Sequence, residues 1–184
     1  MLQEKTISPD FSIRNFRDFP EEIQAIKTKA FSHSILTPKA QELDDAGLKC
    51  GLFWKGEFKA GITLGDQETL LEWSRGGILI NSEFHYFQRG FIGDNIKVGS
   101  GGNYILALML HVIDSSTYYL SVKKETNGVR FLFEKLNFEF IEEFDSVHQM
   151  GEAVRLNLYR YKFNSAKLSL EREAMLNSIT LINA

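Results

Sequence analysis

The run VGSGG, residues 98–102, leads without a break into NYILALMLHVI. Its glycines let the backbone approach another molecule closely, and a helix that starts directly after them presents amides with no carbonyl one turn earlier to receive them. Within the helix Ile105, Leu108, Met109 and Val112 fall on one stripe, which Leu106 and Ile113 widen, so the spacing predicts a largely buried helix. Gly99, Ser100, Gly101, Gly102 and Asn103 then form a cradle for a pyrophosphate, and Lys97 adds a mobile cation within reach of a phosphate oxygen. The competing reading of such a run is a plain flexible loop, because Gly-rich turns are common. The order of elements around it separates the two.

PDFSIRNFR (9–17) alternates imperfectly and predicts a first strand. Asp18 and Glu21 have capping-box spacing around Pro20, and Ile23, Ile26 and Ala30 follow at helical intervals, so a helix begins there and Pro38 ends it at the latest. Leu48–Trp54 and Glu57–Leu64 read as the arms of a hairpin turning at Lys55-Gly56. DQETLLEWSRGG (66–77) has no clear pattern, and ILINSEFHYFQRGFIG (78–93) reads as one long or bulged strand that Asp94-Asn95 interrupts. After the buried helix come a short strand, Tyr118–Val122, and a helix in ETNGVRFLFEKL (125–136) with Val129, Leu132, Phe133 and Leu136 on one face. Asn137 is suited to a left-handed helix cap, with Phe138 packing back on the last turn. FEFIEEF and AVRLNLYRYKF supply the last strands, and the tail from Lys167 to Ala184 suits a helix docked on the body or on a second subunit.

At 184 residues the chain fits one domain over its whole length, with a core of about 11–163 and a helical tail at 164–184. Fifteen Phe suggest a thick aromatic core, or a core that also lines an apolar ligand channel. Cys50 is the only cysteine, which excludes an internal disulfide, fits a reducing compartment and reads as an inert buried thiol. The net charge of −3 and the lack of a Lys/Arg block give no reason to expect a nucleic-acid partner. No stretch is long enough to span a bilayer and the N-terminus lacks a signal-peptide pattern, so the cytoplasm is the expected location. His33, His111 and His148 lack metal-ligand spacing, and no metal is assigned.

Taken in order, KVGSGGNYIL resembles the phosphate-binding motif (Gln or Arg)xxGx(Gly or Ala) of the GNAT (Gcn5-related N-acetyltransferase) superfamily, with Lys97, Ser100 and Gly102 at its defining positions and Ile105-Leu106 as the following aliphatic pair. YLSVKKETNGVRFLFEKLNF is similar to the second GNAT signature, a strand and a helix ending in a tail like EKLGF. The resemblance extends from Phe11 to Phe163 and is strongest over Ile92–Phe138. It implies an α+β fold, a mixed but mostly antiparallel sheet of about seven strands flanked by helices and splayed between its fourth and fifth strands. It implies acetyl-coenzyme A or another acyl-coenzyme A as acyl donor, held by the cradle residues together with Ile92, Val98, Asn127 and Phe133. Lys97 stands where Gln or Arg is usual, Ser100 where Gly is, and Phe133 where many GNAT enzymes carry a Tyr that protonates the departing thiolate.

In the family's reaction an amine attacks the thioester directly, and amides of the fourth strand, here around Gly90–Gly93, polarise the carbonyl. Glu83 and His85 are the candidate general bases, sharing one face if their strand is regular, with Tyr86 on the other and Glu83 slightly favoured. Three functions compete. An acetyl- or short-acyl-coenzyme A transferase would act on a small-molecule or protein amine, with Glu42, Asp44 and Asp45 in a loop drawing a cationic acceptor. A long-chain enzyme would resemble N-acyl amino acid and autoinducer synthases and take acyl-coenzyme A or acyl carrier protein, docked on Arg75, Lys97, Lys123 and Lys124. A non-catalytic module would only bind the thioester or a protein partner. A homodimer through the last strand or the tail is compatible with each.

Overall fold

The computed structural model describes residues 4–124, 133–147 and 153–184. In chain order the elements are β1 (Glu4–Thr6), β2 (Phe11–Phe16), α1 (Glu21–Ala30), α2 (Pro38–Ala46), β3 (Leu48–Trp54), β4 (Glu57–Gly65), α3 (Gln67–Trp73), β5 (His85–Ile92), α4 (Gly101–Val112), β6 (Tyr118–Lys123), β7 (Phe138–Val147), β8 (Ala153–Tyr161) and α5 (Ser165–Ile182). The strands form one eight-stranded sheet in the order β1-β2-β3-β4-β5-β6-β8-β7. Every neighbouring pair is antiparallel except β5 and β6, which are parallel and joined through α4. The short β1 adds to the expected set of about seven strands, so the expected fourth and fifth strands are β5 and β6.

Strand alternation sorts the side chains onto two faces. On one, Cys50, Leu52, Ala60, Ile62 and Phe87 meet Leu106, Leu108 and Leu110 of α4, and Leu168, Met175 and Ile179 of α5 close that core. The tail therefore packs on its own body. On the other face Phe19, Phe53 and Phe91 cluster with Phe16, Phe31 and Phe58 around α1, while Leu70 and Trp73 of α3 pack with Tyr86, Tyr119 and Leu158. Six of the fifteen Phe thus form a packed aromatic layer, of which Phe31 also lines the cavity described below. Cys50 is fully buried, and burial pushes its thiol up to about 12, which keeps it unreactive. Among the described residues no helix is long and apolar enough to cross a membrane.

Several local expectations are corrected. α1 starts after Pro20 with no side-chain cap, so the Asp18–Glu21 capping box does not form. α1 ends at Ala30, before Pro38 as expected, and Pro38 opens a further helix: Thr37 caps α2, its Oγ1 accepting from the Ala40 amide at 3.1 Å, and Pro at the first helical position loses no hydrogen bond. Asp44 accordingly lies in α2, not in an acidic loop, and is buried with Lys27 Nζ 2.7 Å from its Oδ2. DQETLLEWSRGG contains α3, opened by an Asp66–Thr69 capping box. Asn137 is not left-handed; its amide donates to Glu171 and its side chain to the Lys162 carbonyl. Of the helix expected at 125–136, residues 133–135 are helical, and Asn127, Val129 and Leu132 lie outside the described residues.

Candidate active site

β5 and β6 are joined by three rungs, His85–Tyr118, Tyr86–Tyr119 and Phe87–Leu120. β5 continues against β4 to Ile92, and β6 continues against β8 to Lys123. Past Phe87 and Leu120 each strand is held only on its far side, and a wedge opens between them. It contains a cavity of about 340 Å³, walled by Tyr86–Gly90 on β5 and Leu120–Lys123 on β6, with Ile105 and Met109 of α4 beneath and Phe31, Ser34 and Trp73 above.

The wedge is shaped by a β-bulge. Thr63 pairs with Gln88 and Gly61 with Phe91, so Ile62 stands opposite both Arg89 and Gly90, and Arg89 takes a φ of +49°. One extra residue interrupts the alternation. Gln88 receives the Trp73 indole N–H at 3.4 Å on the α3 face, and Arg89, which a regular strand would send to the α4 face, stays on the same side. There its guanidinium lies 4.4 Å from the Phe31 ring centroid and Nη2 donates to Ser34 Oγ at 2.7 Å. Gly90 backs onto α4, where an added Cβ would come within 3.3 Å of Ile105.

Across the wedge Tyr86 Oη and Ser121 Oγ are hydrogen-bonded. Burial pushes the Tyr86 phenol up to about 12, so it is a proton donor at neutral pH. Phe133 lines the same cavity, buried between Phe138 and Tyr159 with ring centroids 5.2 and 5.7 Å away. It offers no proton.

From the end of the wedge β5 runs into the glycine turn. Gly99 has a φ of +83°, which glycine adopts freely, while Ser100 has an ordinary φ of −99°. Ser100 directs its Oγ back to the Lys97 carbonyl at 2.6 Å instead of onto the helix it precedes. The amides of Gly101 and Gly102, the first two helical positions, have no intrahelical acceptor, and the Asn103 amide donates to the Ser100 carbonyl at 3.1 Å. Gly101 also sits tight on the strand, since an added Cβ would meet Ile92 at 2.9 Å. Lys97 is exposed and its Nζ reaches the Ile182 carbonyl at the end of α5, 3.4 Å away. The Val98 side chain is wholly in solvent and Ile92 is exposed.

The expected bases are placed elsewhere. Glu83 precedes β5 instead of lying within it, so it shares no strand face with His85. Both line a broad polar hollow of about 820 Å³ with Asp66, Gln67 and Ser115–Thr117, at the end of β5 away from the glycine turn. The His85 ring lies 5.1 Å from that of Tyr118. The residues that do meet in the wedge, Tyr86, Gln88, Arg89 and Ser121, carried no role in the motif. Gly90 was the available signal, because a lone glycine inside a strand pattern marks a bulge.

No protein-family model and no curated protein matches the sequence. Solved structures do. A probable acetyltransferase from Staphylococcus epidermidis superposes with a TM-score of 0.58 over 82% of this chain and 98% of its own, at 13% identity. A Salmonella typhimurium acetyltransferase that modifies the N-terminal serine of ribosomal protein L7/L12 superposes with a TM-score of 0.56 over 88% of this chain and 100% of its own, at 10% identity. The chain has the GNAT fold. Arabidopsis thaliana NAA60 in complex with acetyl-coenzyme A shares it with a TM-score of 0.55 over 81% of this chain and 98% of its own, at 12% identity.

Proposed function

We propose that this protein is an N-acyltransferase that moves a short acyl group from acyl-coenzyme A to an amine by direct attack. The observation that carries the reading is the three-rung wedge, floored by Ile105 one turn into α4, which would let one extended molecule lie in the gap and reach toward the amides that open that helix. NAA60, a neighbour in fold, binds acetyl-coenzyme A, which supports the same donor here.

The amides of Gly101 and Gly102 and the Lys97 ammonium would hold the donor's phosphates, where the positive end of α4 adds to them. The edge of β5 beyond Phe87 turns its backbone toward the wedge and would polarise the thioester carbonyl. The amine nitrogen attacks that carbonyl carbon, the C–S bond breaks, and the departing thiolate would accept a hydrogen bond from Tyr86 Oη, the hydroxyl that stands in the cavity in place of one at position 133. The ammonium proton leaves to solvent on the open side of the wedge. Glu83 and His85, in the separate hollow, are not needed for this sequence. A cavity of about 340 Å³ is near the small end of ligand sites, about 300–1,000 Å³, which favours an acetyl-sized group over a long chain.

Calorimetric titration with coenzyme A, acetyl-coenzyme A and palmitoyl-coenzyme A tests the reading. Saturable acetyl-coenzyme A binding that is weakened in Lys97→Glu supports it. Failure of all three to bind removes it. Tight binding without amine-dependent thiol release would instead favour a thioester-binding module, the reading that Phe133 motivates.

A further inference from the structure

Arg89 is half-buried, and among the described residues no carboxylate lies within ion-pair distance of its guanidinium, although such pairs form elsewhere, as between Arg155 and Glu143 and Asp145. Its side chain donates to the neutral Ser34 hydroxyl and lies over the face of Phe31. Asp44 and Asp45 are the acidic groups that act on it, and Asp44 is already bonded to Lys27. Burying a guanidinium without a directly paired carboxylate is costly, and the bulge that holds it in the cavity wall requires a left-handed non-glycine residue, a second cost. Both are incurred on the sheet face that Phe31 and Trp73 cover, opposite α4.

Beside Arg89, Gln88 is 3% exposed and gives its Oε1 to Trp73. Apart from Ser34, the upper side of the cavity around Arg89 is apolar: Phe31, Trp73 and Leu156.

We infer that the acceptor is a free amino acid with an apolar side chain, whose carboxylate is held by Arg89 while its amine faces the wedge. Two N–H groups of a guanidinium match the two oxygens of a carboxylate, and the Ser34 hydroxyl can turn to donate to the same group. The side chain lies against Trp73 and Leu156. A peptide N-terminus, whose first carboxyl is an amide, presents no charge there, which separates this acceptor from the protein N-terminus modified by the Salmonella neighbour. Lys123 also lines the cavity, on the β6 wall beyond the last rung, and serves as the control cation.

The inference rests on the acyltransferase reading and is tested so that the two fail separately. Thiol release from acetyl-coenzyme A is followed with phenylalanine, phenylalaninamide and 2-phenylethylamine, which share an amine and a ring and differ in the carboxylate. Wild type should prefer phenylalanine over the other two by about 100-fold in kcat/KM, the scale on which a buried hydrogen-bonded charge pair discriminates. Arg89→Ala should abolish that preference while turnover of phenylethylamine continues, and Lys123→Ala should leave the preference intact. Equal use of the three amines by wild type, or a preference that survives Arg89→Ala, overturns the inference and leaves the acyltransferase reading standing. If no amine is acylated, titration of N-acetylphenylalanine against its amide still decides the carboxylate question: Arg89-dependent binding of the acid alone supports it, and equal or absent binding of both overturns it. Circular dichroism of Arg89→Ala, with Arg89→Lys as a second variant, separates lost recognition from lost folding.

Discussion

Tyr86 and Ser121 are hydrogen-bonded across two strands that stop pairing one rung beyond Tyr86, so the last side-chain link between β5 and β6 is a phenol and a hydroxyl at the edge of the cavity. With Phe133 apolar, this phenol would meet the departing thiolate in the proposed reaction.

Tyr86→Phe should lower kcat by about 100-fold, the lower end of general acid–base contributions, with acetyl-coenzyme A affinity unchanged. Because burial holds the phenol at about 12, the wild-type rate should show no alkaline limb from this group below about pH 11. A pH–rate profile of both proteins checks this, and an unchanged kcat in the variant would remove Tyr86 from the reaction.

Gly101→Val tests the cradle from the steric side. Its Cβ would meet the Ile92 side chain, 2.9 Å from Cδ1 and 3.2 Å from Cγ2, so that side chain must shift at the helix start. Acetyl-coenzyme A affinity should fall by at least about 10-fold, consistent with the loss of one or two charge-assisted hydrogen bonds. Calorimetry reads the affinity, and a thermal midpoint within a few degrees of wild type shows that the fold survives.

The Lys27–Asp44 pair, with side chains 5% and 1% exposed, joins α1 to α2. Asp44→Leu leaves a buried ammonium without its counter-ion and should destabilise the protein by about 3–5 kcal/mol. Lys27→Met combined with Asp44→Leu should recover most of that loss. Urea denaturation of both single variants and the double variant measures the coupling.

His111 is buried on α4 against Phe11, with Nδ1 2.8 Å from the Ala107 carbonyl, and desolvation lowers its pKa from 6.5 to about 4. The unfolded chain therefore takes up a proton in the window between these values that the folded protein refuses. Stability is highest above about pH 6.5 and falls as the pH drops toward 4, by up to about 3 kcal/mol from this group. Urea midpoints at pH 7 and pH 5 should differ in wild type and differ less in His111→Gln.

Local chemistry made some of this legible in advance. The hairpin at Lys55-Gly56 was readable because both residues take the positive φ that its turn needs, +49° and +77°, and the buried α4 because its apolar stripe is unbroken. α3 was not, because seven residues give too little periodicity and its cap uses Thr69 instead of Glu or Gln. The glycine turn was legible as a helix start with free amides, since these need no particular side chain. The Arg89 wall of the cavity was hidden for a different reason. Which face Arg89 joins depends on one inserted residue opposite Ile62, and a shift of one position exchanges the two faces of a strand. Glu83 was misplaced by the same sensitivity, since the strand reads as continuous from residue 78 but pairs only from His85.

The unpaired stretch of β5 and β6 has the chemistry of a sheet edge, and exposed edges invite another chain to add itself. Here two such edges face each other inside the fold instead of facing solvent. A pantetheine arm carries two amide bonds, so in this gap it can be bonded as an added strand would be, and the sheet becomes continuous when it is there. Donor occupancy would then be readable without any assay of catalysis, as slowed amide hydrogen exchange at Gln88–Gly90 and Ser121–Lys123, the residues on both sides of the gap.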